Sequence, residues 1–353
     1  MEKICLITFS NNADHQNVIY SMYEALQGKA DVYTIGAKNP KSHIAPHTDK
    51  NYYFDCPQRP GIELKTLRLD IVLKIAKTIK RNGIKYFFFE SLHVWNILLM
   101  LMCPQCIRVE VVHDVVPHDL SKMVVLCTKL ACKIADHVIL RNEKYKHLLS
   151  KEYKVPRSKI TSFAPWRFFP DEERSTHSGK FLSFGRIRKY KGLDRLETII
   201  KETQEIPYLI VGEPDEECRE TVESLKRYKN VEVIDREVSD QQMIDFFHDA
   251  DWIVLPYTSA TQSGVIVDSY RLSRPVIAFN VGAISEQIED GVTGFLVEAD
   301  NCSAFIETVR RVATMPEFET DRFAHNAYSW AYGLYSAVSV ADRFLEVITS
   351  LTK

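Results

Sequence analysis

The sequence lacks a glycine-rich G-x-G-x-x-G turn after its first apolar run, where it reads "SNNADHQN" instead, and it has no Walker motif. Neither a dinucleotide cofactor of the Rossmann type nor a P-loop nucleotide is therefore indicated. It also lacks any apolar stretch long enough for a bilayer crossing; the best candidate, "VWNILLMLMCP", is broken by Pro104 and reads as a core helix. Charge of one sign is scarce overall, at a net -2, which gives no whole-chain signature for nucleic acid. The eight cysteines are scattered, and the close pair Cys103 and Cys106 in "CPQC" has no second pair or histidines at zinc spacing. Two buried or half-buried thiols flanking a turn proline are the expectation. The start "MEKICLITF" has no signal-peptide architecture, so a reducing cytosol is expected. No short-period repeat or low-complexity tract interrupts the chain.

What is present is the composition of a soluble globular protein, 45% apolar and 26% charged. At 353 residues the chain exceeds the roughly 250–300 at which one core stops growing, and two domains are expected. Apolar runs ("KICLITF", "DVYTIG", "KYFFFE", "RVEVVH", "HVILR", "KITSF") alternate with amphipathic segments, the pattern of a parallel sheet covered by helices on both faces. The stretch 163–180 is rich in proline and polar groups and lacks periodicity. The alternation then restarts with "KFLSF", "PYLIVG", "NVEVID", "DWIVLP", "RPVIAF" and "TGFLV". The fold class expected is α/β, with two Rossmann-like doubly wound domains facing a cleft. The boundaries are 1–163 for the first domain, 164–179 for a linker, 180–335 for the second domain, and 336–353 for an amphipathic C-terminal helix that packs back on the first.

Ligands of such sheets sit beyond the carboxyl ends of the strands, where helix N-termini point free N–H groups. At one such end "GRIRKYKG" sets Arg186, Arg188, Lys189 and Lys191 between Gly185 and Gly192. Gly185 permits a tight turn, and Arg186 and Lys191 would project toward a diphosphate, a fork of donors and a point charge. A solvated basic turn would have the same composition. In "TQSG", Gln262, Ser263 and Gly264 supply amide, hydroxyl and backbone N–H groups at a helix start, suited to an anion or sugar hydroxyl, or to simple N-capping. His113 and Asp114 end the strand "RVEVV", as an active-site pair or as a loop cap before Pro117. Asn11, Asn12 and His15 lie in the loop after the first strand and are candidates for acceptor or phosphate contact. Asp249 and Asp251 form an Asp-x-Asp, but they end a helix before a buried strand and read as structural.

"GRIRKYKG" together with the run Pro256 to Val297 ("PYTSATQSGVIVDSYRLSRPVIAFNVGAISEQIEDGVTGFLV") resembles the C-terminal domain of the retaining glycosyltransferases of family 4, which have the GT-B fold. The resemblance is specific over roughly 180–315. It implies that Arg186 and Lys191 hold and stabilise the departing diphosphate of a nucleotide sugar and that Asp268 accepts the ribose hydroxyls. It implies that His113 lies near the donor sugar, with the 262–264 loop helping to position it; Asp114, Asn11 and Asn12 are candidates for the acceptor side, although the family's usual glycine pair is absent from the loop that holds Asn11 and Asn12. The sequence departs from the family's two glutamates eight positions apart: aligned on "SRPVIAF", the second falls on Asp268 and the first on Ala260, with the "TQSG" loop beside it.

The expected activity is that of a hexosyltransferase-type retaining glycosyltransferase of cell-surface polysaccharide synthesis. A UDP- or GDP-linked donor would serve a glycan or lipid-linked acceptor, with no cofactor and no metal. Two alternatives stay open at this level: a nucleotide-sugar epimerase, which would need acid and base carboxylates near the sugar, and a non-catalytic nucleotide- or glycan-binding scaffold. Residues 121–159 hold ten lysines and arginines against three acids, and residues 65–81 add six more cations. Such a first domain fits a cytoplasmic protein peripheral on the anionic inner face of a membrane, or merely a solvated basic face. Aromatics do not interleave with these charges, so no nucleic-acid partner is expected.

Overall fold

The computed structural model describes residues 1–38, 48–57, 61, 63–113, 115, 122–173 and 177–351. It divides into two compact units, Met1–Phe168 with Leu334–Lys353, and Phe169–Gly333. Each is a doubly wound α/β layer structure.

In the first unit the strands are β1 (Lys3–Thr8), β2 (Asp31–Ala37), β3 (Asn51–Phe54), β4 (Tyr86–Phe89), β5 (Ile107–Val112), β6 (His137–Leu140) and β7 (Ile160–Ser162). They form one sheet in the order β3-β2-β1-β4-β5-β6-β7, with parallel pairing throughout. The helices between them are α1 (Ala13–Ala25), α2 (Leu69–Asn82), α3 (Val94–Met102), α4 (Lys122–Ile134) and α5 (Lys146–Tyr153). A sheet covered on both faces needs apolar residues at every position rather than alternate ones. "YFFF" of β4 meets that demand and is buried throughout. Two core clusters result, one on each face of the sheet: Cys5, Ile7, Phe87 and Phe89 point into one, Ile4, Leu6, Tyr86 and Phe88 into the other.

The second unit has β8 (Phe181–Phe184), β9 (Tyr208–Val211), β10 (Val231–Ile234), β11 (Trp252–Leu255), β12 (Val276–Phe279) and β13 (Gly294–Val297), in the order β10-β9-β8-β11-β12-β13. Its helices are α6 (Leu193–Glu202), α7 (Arg219–Leu225), α8 (Asp240–His248), α9 (Gly264–Arg271), α10 (Cys302–Ala313) and α11 (Glu317–Tyr335). Strand order reverses between β1 and β4 in the first sheet and between β8 and β11 in the second. Such switch points leave a crevice at the carboxyl edge, where helix N-termini converge.

The division between the two units falls between Phe168 and Phe169, inside the stretch 164–179 expected as a linker, of which residues 174–176 lie outside the described residues. Trp166 is fully buried in the first unit and donates from its indole to Val18 O at 3.1 Å. Arg167 N–H donates to Tyr335 O, and Ala337 N–H to Arg167 O. Phe169 instead stacks edge-on against Tyr328 and Tyr332 of the second unit. Trp166 thus joins the core of the first unit, and Phe169 packs with the second.

The last helix, α12 (Ala337–Ser350), returns to the first sheet and buries Val340, Ala341, Phe344 and Ile348 in the cluster of Ile4, Leu6 and Trp166. Phe344 packs edge-on to Phe88, its ring centroid 5.2 Å away. Phe344→Ala is expected to destabilise the first unit by about 3–5 kcal/mol, the usual range for a buried aromatic truncated to alanine. A urea titration followed by tryptophan fluorescence would read this as a lowered midpoint.

Candidate functional site

In the second unit the chain leaves β8 through Gly185, whose φ of +94° is a conformation that a side chain disfavours. Arg186 follows, then the turn Lys189–Lys191 and Gly192, at φ +68°, which opens α6. A Cβ on Gly192 would lie 1.9 Å from Pro256 O, so only glycine lets the end of β11 approach the basic turn this closely. Thr258 N–H completes the contact by donating to Tyr190 O at 2.8 Å.

Lys191 folds back under this turn. Its Nζ donates to Phe184 O at 3.0 Å, lies 5.7 Å from the centre of the Tyr257 ring, and would be 2.7 Å from a Cβ on Gly185. No carboxylate pairs with it among the described residues. Burial, with a smaller push from the Arg188 charge, lowers its pKa to about 7. A half-buried ammonium near a second cation, with no carboxylate partner among the described residues, is an unfavourable arrangement that an anionic ligand would relieve. Arg186 is different: 60% exposed, it donates to Asp215 Oδ1 at 2.7 Å, and Arg188 reaches the other oxygen of the same carboxylate at 3.6 Å.

Opposite the basic turn, the 260–264 loop leads into α9. Gln287 clamps it from both sides, its Oε1 accepting from Ser263 N–H at 2.7 Å and its Nε2 donating to Ser263 O at 3.0 Å. Ser263 stands at the N-cap position, yet its side chain makes no capping bond. Gln262 Oε1 is buried with no protein donor among the described residues. The N–H groups at Gly264 and beyond therefore open an eight-residue helix uncapped, the electrostatic setting that suits an anion. Ala260 is buried, its carbonyl accepting from Ala283 N–H at 3.1 Å. Asp268 faces Arg271, with Nε to Oδ1 at 2.8 Å and both side chains mostly buried. A ribose would meet a carboxylate already paired.

At the carboxyl edge of the first sheet, Asn12 accepts from Asp14 N–H at 2.8 Å and so caps α1. Asn11 beside it is exposed. Asp114, with Pro117, lies outside the described residues. His113 follows β5, its Nε2 2.6 Å from Glu90 O and 3.0 Å from Glu90 Oε1, with its ring against that of His15 at 4.8 Å. Glu90 follows β4 and pairs with Arg141, which follows β6; both side chains are fully buried. Burial pushes the Glu90 carboxyl upward, and Arg141 and then His15 oppose that rise.

Glu90, Arg141, Asp215 and Gln287 were not legible as functional from the sequence. A signal existed for two of them: each buried strand β4, β5 and β6 is followed at once by a charged or titratable residue, Glu90, His113 and Arg141. Asp249 pairs with Lys180, and Asp251 accepts from Gly179 N–H, so both act within the scaffold. Among the described residues no three potential ligands gather for a metal. Cys103 and Cys106 are buried free thiols, and burial holds Cys106 up to about 12.

Two parallel-sheet Rossmann-like units, of seven and six strands, define an α/β protein of the GT-B type. Over residues 178–315 the chain matches the family model described as Glycosyl transferases group 1. The chain is 27% identical over 179 residues to a lipopolysaccharide 1,2-N-acetylglucosaminetransferase of Salmonella typhimurium, covering 47% of this chain and 46% of that protein. It is 29% identical over 151 residues to a GDP-mannose:glycolipid 4-beta-D-mannosyltransferase of Xanthomonas campestris, covering 38% and 40%. These matches span less than half the length of either relative. The structure of Anabaena Alr3699/HepE in complex with UDP and glucose superposes with a TM-score of 0.74 at 15% identity, over 99% of this chain and 100% of that one. That likeness establishes the fold.

Proposed function

We propose that this chain is a retaining, hexosyltransferase-type glycosyltransferase that moves a sugar from a UDP- or GDP-linked donor to a glycan or lipid-linked acceptor in cell-surface polysaccharide synthesis. The observation that carries the proposal is Lys191, a half-buried ammonium without a carboxylate partner among the described residues, at the end of β8. A diphosphate supplies the missing counter-charge, and its charge grows as the bond to the sugar breaks. Arg186 adds a second cation by exchanging part of its contact with Asp215 for a phosphate oxygen. The uncapped start of α9 and Gln262 offer donors and an acceptor to the phosphate and sugar hydroxyls. With the diphosphate neutralised by side chains, and Asp249 and Asp251 engaged elsewhere, the reaction needs no metal.

The names of the relatives, which act on lipopolysaccharide and a glycolipid, support a lipid-linked acceptor. Among the described residues no helix is long and apolar enough to cross a membrane. The first unit nevertheless exposes Leu64 and Leu67 beside Lys65 and Arg68, and Met123, Leu126 and Leu130 beside Lys122, Lys129 and Lys133. Apolar residues interleaved with cations suit peripheral attachment to an anionic bilayer face.

Calorimetric titration with UDP, GDP, ADP and CMP, without metal, tests the reading. One diphosphate should bind at micromolar level, and its sugar conjugate should yield a glycosylated acceptor rather than an epimerised donor. Equal or absent binding of all four would reject it. The pH dependence has a defined sign. The Lys191 ammonium titrates near 7 in the ligand-free fold and near its ordinary value when unfolded. From pH 7 to about 10 the unfolded chain thus holds more proton, and this group's contribution to stability rises with pH. Diphosphate binding favours the charged form, so above pH 7 binding takes up a proton and affinity falls as pH rises. Titrations in buffers of different ionisation enthalpy would count that proton.

A further inference from the structure

The first sheet ends at β3, beyond which no further strand pairs among the described residues. Along this flank runs α2, with Val72, Ile75, Ala76 and Ile79 turned into the core. Between strand and helix lies a groove of about 530 Å³, lined by Lys74, Lys77 and Arg81 from α2 and by Tyr52 and Phe54 from β3. It lies two strands away from β1 and the switch point of the sheet.

The three cations follow one another at spacings of three and four residues, a row about 10 Å long on one side of the helix. Like charges at these spacings weaken the helix that carries them. The one acid at such a spacing is Asp70, four residues before Lys74, and Arg68 holds both of its oxygens at 2.9 Å. All three cations are exposed, and none forms an ion pair among the described residues; Lys74 Nζ lies over the Phe54 ring, 5.9 Å from its centre. Lys50, at the start of the same strand, instead reaches Asp31 at 2.7 Å. An anion lying along the groove would remove the repulsion within the row. The strand side selects among polyanions. Tyr52 and Phe54 are half-buried against the core, and the Tyr52 hydroxyl donates to Asp49 O and accepts from Asn82 Nδ2, so the wall is fixed. A single strand of nucleic acid needs successive open ring faces. Here Lys74 covers Phe54, and Tyr53 alternates to the other side of the strand. An oligosaccharide needs only an apolar ring edge for its C–H groups and donors for its many oxygens, which the ammonium groups, the guanidinium and the Thr78 hydroxyl supply.

We propose that the groove between β3 and α2 binds an acidic glycan, a chain carrying a carboxylate or phosphate on successive sugars. The choice of a glycan rests on the transferase reading; the polyanion site does not. A chain held at a second point returns to the first more often, because its effective concentration there rises. The groove thus favours acidic acceptors over neutral ones without touching the sugar being transferred.

Fluorescence anisotropy of an end-labelled oligogalacturonate octamer reads binding to the full chain directly, with no donor present. The comparison ligands are a neutral malto-oligosaccharide of the same length, a thymidine octanucleotide, and vesicles of phosphatidylglycerol and phosphatidylcholine. The variant combines Lys74→Gln, Lys77→Gln and Arg81→Gln, three exposed side chains, and its melting temperature should match that of the wild type. The oligogalacturonate is expected to bind, to weaken as salt rises from about 50 to about 300 mM, and to lose about 10-fold in affinity in the variant, as for three exposed ion pairs. If the triple variant melts early, Lys77→Gln alone should still cost about 2-fold. No binding of the oligogalacturonate, equal binding of the neutral chain, or undiminished binding by the variants would overturn the proposal. So would a variant that loses the oligonucleotide or the vesicles and keeps the oligogalacturonate. Groove-dependent binding by a chain that transfers no sugar upholds the site and counts against the transferase reading instead.

Discussion

Lys191→Met is expected to lower sugar transfer by roughly 10²–10³-fold, the loss that follows removal of one group stabilising charge in a transition state. Methionine keeps the unbranched stem that runs beneath the Gly185 turn to the Tyr257 ring. It removes only the ammonium. The stability of the variant should move in the opposite direction, since a cation lowered to about 7 by burial is one whose charge the fold resists. A melting temperature unchanged or raised by a few degrees, with diphosphate binding lost, is the combined expectation. A variant that lost stability and kept binding would make Lys191 a structural residue. Arg186→Ala should be milder in both respects, because its guanidinium is exposed and shares Asp215 with Arg188.

Gly282→Ala should damage the same site through the backbone. Gly282 has φ +54°, and a Cβ built there would lie 1.6 Å from Ala260 O, the carbonyl that accepts from Ala283 N–H. The left-handed conformation and the clash together are expected to cost about 2–4 kcal/mol. The chain can relieve the clash only by separating the 281–284 turn from the 260–264 loop. That movement disturbs Ser263, which Gln287 clamps. Urea denaturation would show a lowered midpoint, and calorimetry a weakened diphosphate, well below the denaturing range. Native stability with weakened binding would place the effect in the loop alone; native values of both would refute the close approach.

Much of this architecture was legible in one dimension. Runs such as "YFFF" and "WIVL", apolar at every position, can only be strands buried on both faces, and their alternation with amphipathic segments demands doubly wound sheets. The glycines and cations of "GRIRKYKG" marked the end of β8, where Gly185 and Gly192 both take positive φ. The resemblance drawn from this stretch and the 256–297 run covers nearly the same residues as the family match over 178–315.

Other features depended on distance across the fold. Nothing in "GRIRKYKG" told Lys191, half-buried and without a carboxylate partner among the described residues, from Arg186, exposed and paired: Lys191 is covered in part by Tyr257, some sixty residues on. Asp268 kept the expected carboxylate and pairs with Arg271 three residues on in α9, a local contact; only the burial of both side chains was decided by the fold. The 164–179 stretch looked like a linker because it lacks periodicity, yet Trp166 and Phe169 each had a core to enter.

The sequence by itself determined the local periods, hence strands, helices, two units and the chemistry available at each strand end, because backbone conformation and side-chain alternation are set within a few residues. Only the tertiary structure decided which ends meet. The order β1-β4-β5-β6 puts Glu90, His113 and Arg141 side by side, although 23 residues separate the first two and 28 the last two. Strand order follows from the handedness of crossovers and the competition among helices for the two faces, long-range choices that leave no periodic trace in the chain.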